Sequence, residues 1–130
     1  MTTIRKPIDV EDALQAALNA AGFNACALPL PERYKLPHIL VRCNGGSSPS
    51  FMQTAFSVTL ECRAETLAAA FALANSASGW MLALPGESVG EVPVYTVDPQ
   101  ALPYNDPDPN NPTVPRVSCG WTVTTRYNNN

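Results

Sequence analysis

Charge is what this chain has least of. Its 130 residues carry 8 Lys and Arg against 11 Asp and Glu, so 15% of side chains are charged, where a soluble domain has roughly 25%. With a net charge of −3, it lacks the basic stripe by which nucleic-acid binders hold phosphate. It has one histidine, His38. The four cysteines, Cys26, Cys43, Cys62 and Cys119, lie far apart, without Cys-x-x-Cys or a neighbouring His pair. That spacing offers no metal site. No apolar run approaches the ~20 residues of a membrane span. Arg5 and Lys6 near the N-terminus are not followed by the apolar core of a secretory signal. These absences describe a cytoplasmic, reduced protein with buried structural thiols. A surface so poor in charge suits contact with neighbours and hence an oligomer. A monomer with a Ser/Thr/Asn-rich surface fits the composition equally well.

Proline, by contrast, is abundant. Residues 98–115 hold six prolines and three aspartates with no cation until Arg116. Proline fixes φ and removes a backbone donor, so this stretch cannot be helix or central sheet. A connection of that length in a small domain is usually functional or disordered. We therefore expect a stiff, acidic arm reaching beyond a compact core.

The rest of the chain reads as alternating periods. Asp9 is placed to cap a helix in which Val10, Leu14, Ala17, Leu18 and Ala21 share a face, and Gly22 is placed to end it. A short strand is expected over 23–28, stopped by Pro29 and Pro31, and then a loop over 32–37. A second strand runs from His38 to Cys43, and Asn44–Ser50 reads as a flexible link. From Met52 to Arg63 the pattern has period two. Met52, Thr54, Phe56, Val58, Leu60 and Cys62 face one way, and Gln53, Ser57, Thr59, Glu61 and Arg63 the other. The seven-residue link implies an antiparallel hairpin.

Thr66 then caps a second helix to about Leu84, with a stripe of Leu67, Ala70, Phe71, Ala74, Ala77 and Met81, closed by Pro85-Gly86. Val92–Val97 is expected as an edge strand because of Pro93. Arg116–Tyr127 alternates again, with Trp121 on the core side, and Asn128–Asn130 reads as a frayed tail. The order α-β-β-β-α-β-β defines a single α+β domain. We expect a two-layer sandwich with two helices on one face of a mostly antiparallel sheet. The other face, of Ser, Thr, Gln and Gly, would be wet or paired with a neighbour.

No constellation amounts to an active site, a cofactor site or a metal site. His38 lacks an evident nucleophile and orienting carboxylate. The cysteines alternate with apolar residues, as inert thiols do; Cys62, beside Arg63 and just before a helix, is the best candidate for a reactive one. Asp106 and Asp108, each followed by proline, could hold a divalent cation weakly, but Asp-Pro is ordinary turn chemistry. Asn44-Gly45-Gly46-Ser47 lacks the Lys and helix of a phosphate loop. Two readings stand for Tyr104 on the arm: an aromatic anchor for a partner, or a side chain packed on its own domain.

This layout resembles the tail terminator (tail completion) proteins of long-tailed bacteriophages. The resemblance rests on Asp9-Val-Glu-Asp-Ala-Leu-Gln-Ala-Ala-Leu18, on the Ala-rich helix with its Pro-Gly exit, and on residues 102–118 followed by Trp121-Thr-Val-Thr-Thr-Arg126. It spans most of the chain, and no catalytic residue is carried over from it. It implies a structural virion protein, not an enzyme: a ring, typically of six subunits, at the head-proximal end of the tail. Such a ring stops tail tube polymerisation and joins the tail to the neck or head connector while DNA passes without specific binding. On that basis Tyr104, Asn105, Asp106, Asp108, Asn110 and Arg116 are candidate partner or oligomer contacts, and Glu87, Glu91 and Asp98 a candidate acidic lumen. The rivals are a stopper or other neck component, a small cytosolic enzyme or ligand-binding module using Cys62 or His38, and an adaptor domain with a disordered arm.

Overall fold

The computed structural model describes residues 4–27 and 35–128. Helix α1 (Val10–Ala20) begins where Asp9 leaves the helical region and its carboxylate accepts the Asp12 N–H at 3.1 Å. It ends in a left-handed Gly22 (φ +98°), which lets the Phe23 N–H reach back to the Leu18 carbonyl at 3.0 Å. Asn19 then brackets the next strand, accepting from the Ala25 N–H at 2.8 Å and donating to the Ala25 carbonyl at 3.1 Å. That strand, β1 (Ala25–Cys26), is shorter than expected, and Leu28 lies outside the described residues.

The remaining elements are β2 (His38–Ser50), β3 (Gln53–Arg63), α2 (Leu67–Leu82), β4 (Ser88–Val89), β5 (Val92–Asn105) and β6 (Arg116–Arg126). The strands form one sheet in the order β1-β2-β3-β6-β5-β4, parallel at β1–β2 and antiparallel elsewhere. The class is α+β, and β2–β3 is the expected antiparallel hairpin. The two-residue β4 adds a strand to the expected order. The sheet is also not the flat layer of a two-layer sandwich. It curls, so that α1 touches β1 and β2 at one border and β4 at the other. At Gly90, before β5, a side chain would come within 3.1 Å of Ala13 on α1.

The core fills the concave face. Leu14 and Leu18 of α1, Ala70, Ala74, Ala77 and Met81 of α2, and Val41, Val58, Leu60, Cys119 and Trp121 of the sheet are fully buried. The small residues of α2 let its axis approach the sheet closely. Leu67, expected in that stripe, is the first residue after the Thr66 cap and is 41% exposed, before the helix face meets the core at Ala70. Trp121 donates its indole N–H to the Cys119 sulfur at 3.3 Å.

Two expectations about connections are overturned. Asn44–Ser50 is not a link but the second half of β2, which continues through register shifts at Cys43/Gly46 and Ser47/Ser50. Gly45 adopts φ +97°, and Gly46 lies so close to the Ala55 carbonyl that no Cβ would fit. The glycines serve bulges and not flexibility. The arm 98–115 does not leave the core either. Residues 98–105 extend β5 along β6, from Asp98 opposite Thr122 to Asn105 opposite Val117. Beyond the short β4 pairing, β5 is an edge strand, where a proline removes no required bond. Register shifts at Pro99/Ala101 and Ala101/Tyr104 absorb the irregularity. Residues 106–115 then fold back over the convex face. At the other end, Asn128 pairs with Lys6 through mutual backbone bonds of 2.7 and 2.9 Å, so it is not part of a frayed tail.

Candidate functional site

The register that builds the core also builds a charged cluster on the opposite face. Across the sheet, Leu40, Glu61 and Ser118 form one cross-strand row, and His38, Arg63 and Arg116 the next. Arg63 and Arg116 thus stand side by side, an arrangement that repels unless acids lie between them. Glu61 supplies the first acid. One carboxylate oxygen accepts from Arg63 Nη2 at 3.2 Å and Arg116 Nη1 at 3.0 Å, and the other faces Arg42 Nη1 at 3.3 Å. The returning loop supplies two more. Asp108 Oδ2 lies 3.4 Å from Arg63 Nη2 and 3.8 Å from Arg116 Nη1. Asp106 lies 3.4 Å from Arg116 Nη2 and accepts the Ser118 hydroxyl at 2.8 Å.

Backbone bonds complete the tie. Arg116 Nε donates to the Asp106 carbonyl at 2.7 Å, and the Asp106 N–H donates to the Arg116 carbonyl at 2.9 Å. Glu61 and Arg63 are each only 3% exposed, so the convex face is not charge-poor at this end, as the sequence had suggested. The Asn110 N–H, donating to Asp108 Oδ1 at 2.9 Å, holds the Asp108 carboxyl below its ordinary range, with Arg63 and Arg116 adding to the effect. Burial, and then the Arg63 charge, brings the His38 imidazole down to about 4.

The structure thus brings together Asp106, Asp108 and Arg116, with Asn110 shaping the loop between them. Three guanidinium groups meet three carboxylates (Glu61, Asp106 and Asp108 against Arg42, Arg63 and Arg116). Carboxylates engaged in this way fasten a loop and do not form a cation cradle, which sets aside the metal reading of Asp106 and Asp108. Among the described residues, no group of three His, Cys, Asp or Glu could hold a metal ion. Tyr104 and Asn105 stand just before the cluster on β5, opposite Ser118 and Val117, and both are exposed. Glu87, Glu91 and Asp98 are exposed along the β4–β5 border, apart from the cluster.

His38 and Cys62 do not meet. His38 shares the convex row with Arg63, whereas Cys62 points into the core between Ile39 and Val117. Burial pushes the Cys62 thiol far up, with Cys119 beside it adding to the shift, the reverse of a nucleophile's environment. Sequence reasoning missed Glu61, Arg63 and Arg42 as cluster members. Their signal was available in the two-residue period that sets Glu61 and Arg63 on one face.

Away from the cluster, the convex face is neutral and rich in hydroxyls: Ser57, Thr59, Thr122 and Thr124, all half-buried. The β5 border carries three large exposed side chains, Tyr95 (43%), Leu102 (66%) and Tyr104 (46%). A mostly apolar groove of about 360 Å³ lies beside the bulged end of β2, lined by Cys43, Gly46, Thr54, Phe56, Tyr127 and Pro7 among others. No helix among the described residues is long and apolar enough to cross a membrane. No protein-family model matches the chain, and no curated protein matches it at a significant level of similarity.

Proposed function

We propose that this chain is a structural subunit of a bacteriophage virion, a ring-forming tail terminator that ends the tail tube and joins it to the neck or head connector. The observation that carries this is the β5 border. A fourteen-residue strand runs along the outside of the sheet with Tyr95, Leu102 and Tyr104 uncovered, while a separate apolar groove opens beside β2. Exposed strands bearing apolar side chains are normally blunted or covered. A subunit with two different sticky borders can join head to tail, and such contacts close into a ring where the rotation between copies closes.

The neutral, hydroxyl-rich convex face supports the same function, since it offers a neighbour little charge to desolvate. Loop 106–115, clamped by the charged cluster, supplies a shaped projection for the tube or connector. Glu87, Glu91 and Asp98 would line the passage, where acids let DNA slide without binding. Mass in solution, with electron microscopy of the protein alone and with tail tubes, tests this. Annular particles that cap tubes and halt their growth are expected. A protein that remains monomeric and leaves tube length unchanged would refute it. Tubes left open at the head-proximal end, with binding only to filled heads, would instead mark a stopper.

A further inference from the structure

We infer that residues 4–7 form a strap fastened on the rings of Phe51 and Tyr127, and that its opening removes one wall of the groove beside β2. Both rings lie at one end of the sheet, Phe51 in the β2–β3 turn and Tyr127 just after β6. The Arg5 guanidinium stands over each of them, 5.3 Å from the centre of Phe51 and 5.1 Å from that of Tyr127. Both distances fall within the ~6 Å reach of a cation–π attraction. Among the described residues Arg5 makes no ion pair that would compete with the rings. One residue on, Lys6 and Asn128 exchange backbone bonds of 2.9 and 2.7 Å. Pro7, which has no N–H, adds no donor to that pairing.

Burial separates this arm from the core that follows it. Ile4, Arg5, Lys6 and Pro7 are all exposed, whereas Ile8 packs against the core cluster. A segment that buries little and rests on a few exposed bonds opens at low free energy, independently of the global fold. Pro7, the last residue before the anchored Ile8, is the pivot. The arm borders the groove through Pro7, and Tyr127, a ring beneath Arg5, lines it too. The Tyr127 hydroxyl donates to Ser48 Oγ at 2.7 Å, which ties that ring to the bulged end of β2 when the arm lifts. Closed, the strap narrows the approach to Cys43 and Phe56, which line the same groove. Open, it uncovers them together with the faces of Phe51 and Tyr127. The device belongs to the single chain and stands whether or not copies form a ring.

Native-state amide exchange and thiol alkylation of the full chain test it. Arg5→Leu removes both ring contacts, and Phe51→Leu removes one. Both side chains are exposed, so cooperative melting close to wild type serves as the folding control. The Lys6 and Asn128 amides should exchange about tenfold faster in Arg5→Leu and about threefold faster in Phe51→Leu. Arg5→Lys, which keeps the charge, should fall between wild type and Arg5→Leu. Cys43 should react with iodoacetamide faster by similar factors, while the buried Cys62 and Cys119 stay protected in every variant. Unchanged amide exchange in Arg5→Leu, or an Arg5→Lys protein that behaves as Arg5→Leu, would overturn the fastening of the strap on the rings. Faster exchange with unchanged Cys43 alkylation would overturn its role at the groove.

Discussion

Replacing Glu61 with Gln should destabilise the fold by about 3 kcal/mol, because a buried ion pair that loses one partner leaves the other uncompensated. The substitution keeps side-chain volume, so no cavity contributes. What changes is charge. Glu61 is 3% exposed and serves Arg63, Arg116 and Arg42 at 3.2, 3.0 and 3.3 Å. Without it, Arg63 and Arg116 face only Asp106 and Asp108, Arg42 loses its carboxylate partner, and the Gln amide can turn a donor toward one of the three. Arg63 has no slack to absorb the loss, since its Nη1 is already buried without a hydrogen-bond partner.

For 130 residues the unfolding entropy is about 0.27 kcal/mol/K, so 3 kcal/mol corresponds to a fall in Tm of roughly 11 °C. Urea melts followed by circular dichroism give the free energy, and the buried Trp121 reports on the same sheet by fluorescence. Asp108→Asn is the internal control. Its carboxylate is 16% exposed against 4% for the Glu61 side chain and meets Arg63 and Arg116 at longer distances of 3.4 and 3.8 Å, so a smaller loss is expected. A double-mutant cycle of Glu61→Gln with Arg116→Met should show coupling of about 1–3 kcal/mol. A Glu61→Gln protein within about 0.5 kcal/mol of wild type, or one less destabilised than Asp108→Asn, would refute the clamp.

Three further outcomes follow from the same structure. Gly46→Ala should cost about 2 kcal/mol by urea melt, since its Cβ would collide with the Ala55 carbonyl and force the hairpin apart; a neutral effect would show that the bulge yields freely. Stability should fall as pH drops from about 6.5 toward about 4, because the unfolded chain takes up a proton on His38 in that window and the folded one does not. The loss is at most roughly 3 kcal/mol, and His38→Gln should flatten that slope. Cys62 and Cys119 should stay unmodified by iodoacetamide until the chain unfolds, as burial raises both thiols; mass spectrometry showing fast modification of either would contradict their burial.

Much of the fold was legible because the core imposes its period on the sequence. Leu14 and Leu18 mark the buried side of α1, and Val58, Leu60 and Cys62 that of β3. The illegible parts are those where one residue type serves two purposes. Gly45 and Gly46 read as flexibility, yet here they relieve steric conflict at a bulge. Pro99 and Pro103 read as strand breakers, yet an edge strand needs its donors on one side only. Alternation assigned Glu61 and Arg63 to the solvent face correctly as a direction. It could not reveal that loop 106–115 returns to cover that face, since a contact spanning 45 residues from Arg63 to Asp108 leaves no local signal.

The clamp also changes what the low charge content means. Six of the 19 charged side chains (8 Lys and Arg plus 11 Asp and Glu) neutralise one another in a single cluster. The remaining surface is therefore even poorer in charge than the composition implies, and the acidic stretch owes its order to those pairs. An arm that folds only on binding would lose affinity to the entropy of ordering. A loop already fixed by Arg63 and Arg116 does not. The outward residues at its tip, Pro109, Asn110, Pro112 and Thr113, are exposed on a loop that is already ordered. Under the proposed function, Asp108→Asn should weaken binding to tail tubes or the connector by raising that ordering cost, read as a higher dissociation constant; an unchanged affinity would show that the loop keeps its order without Asp108.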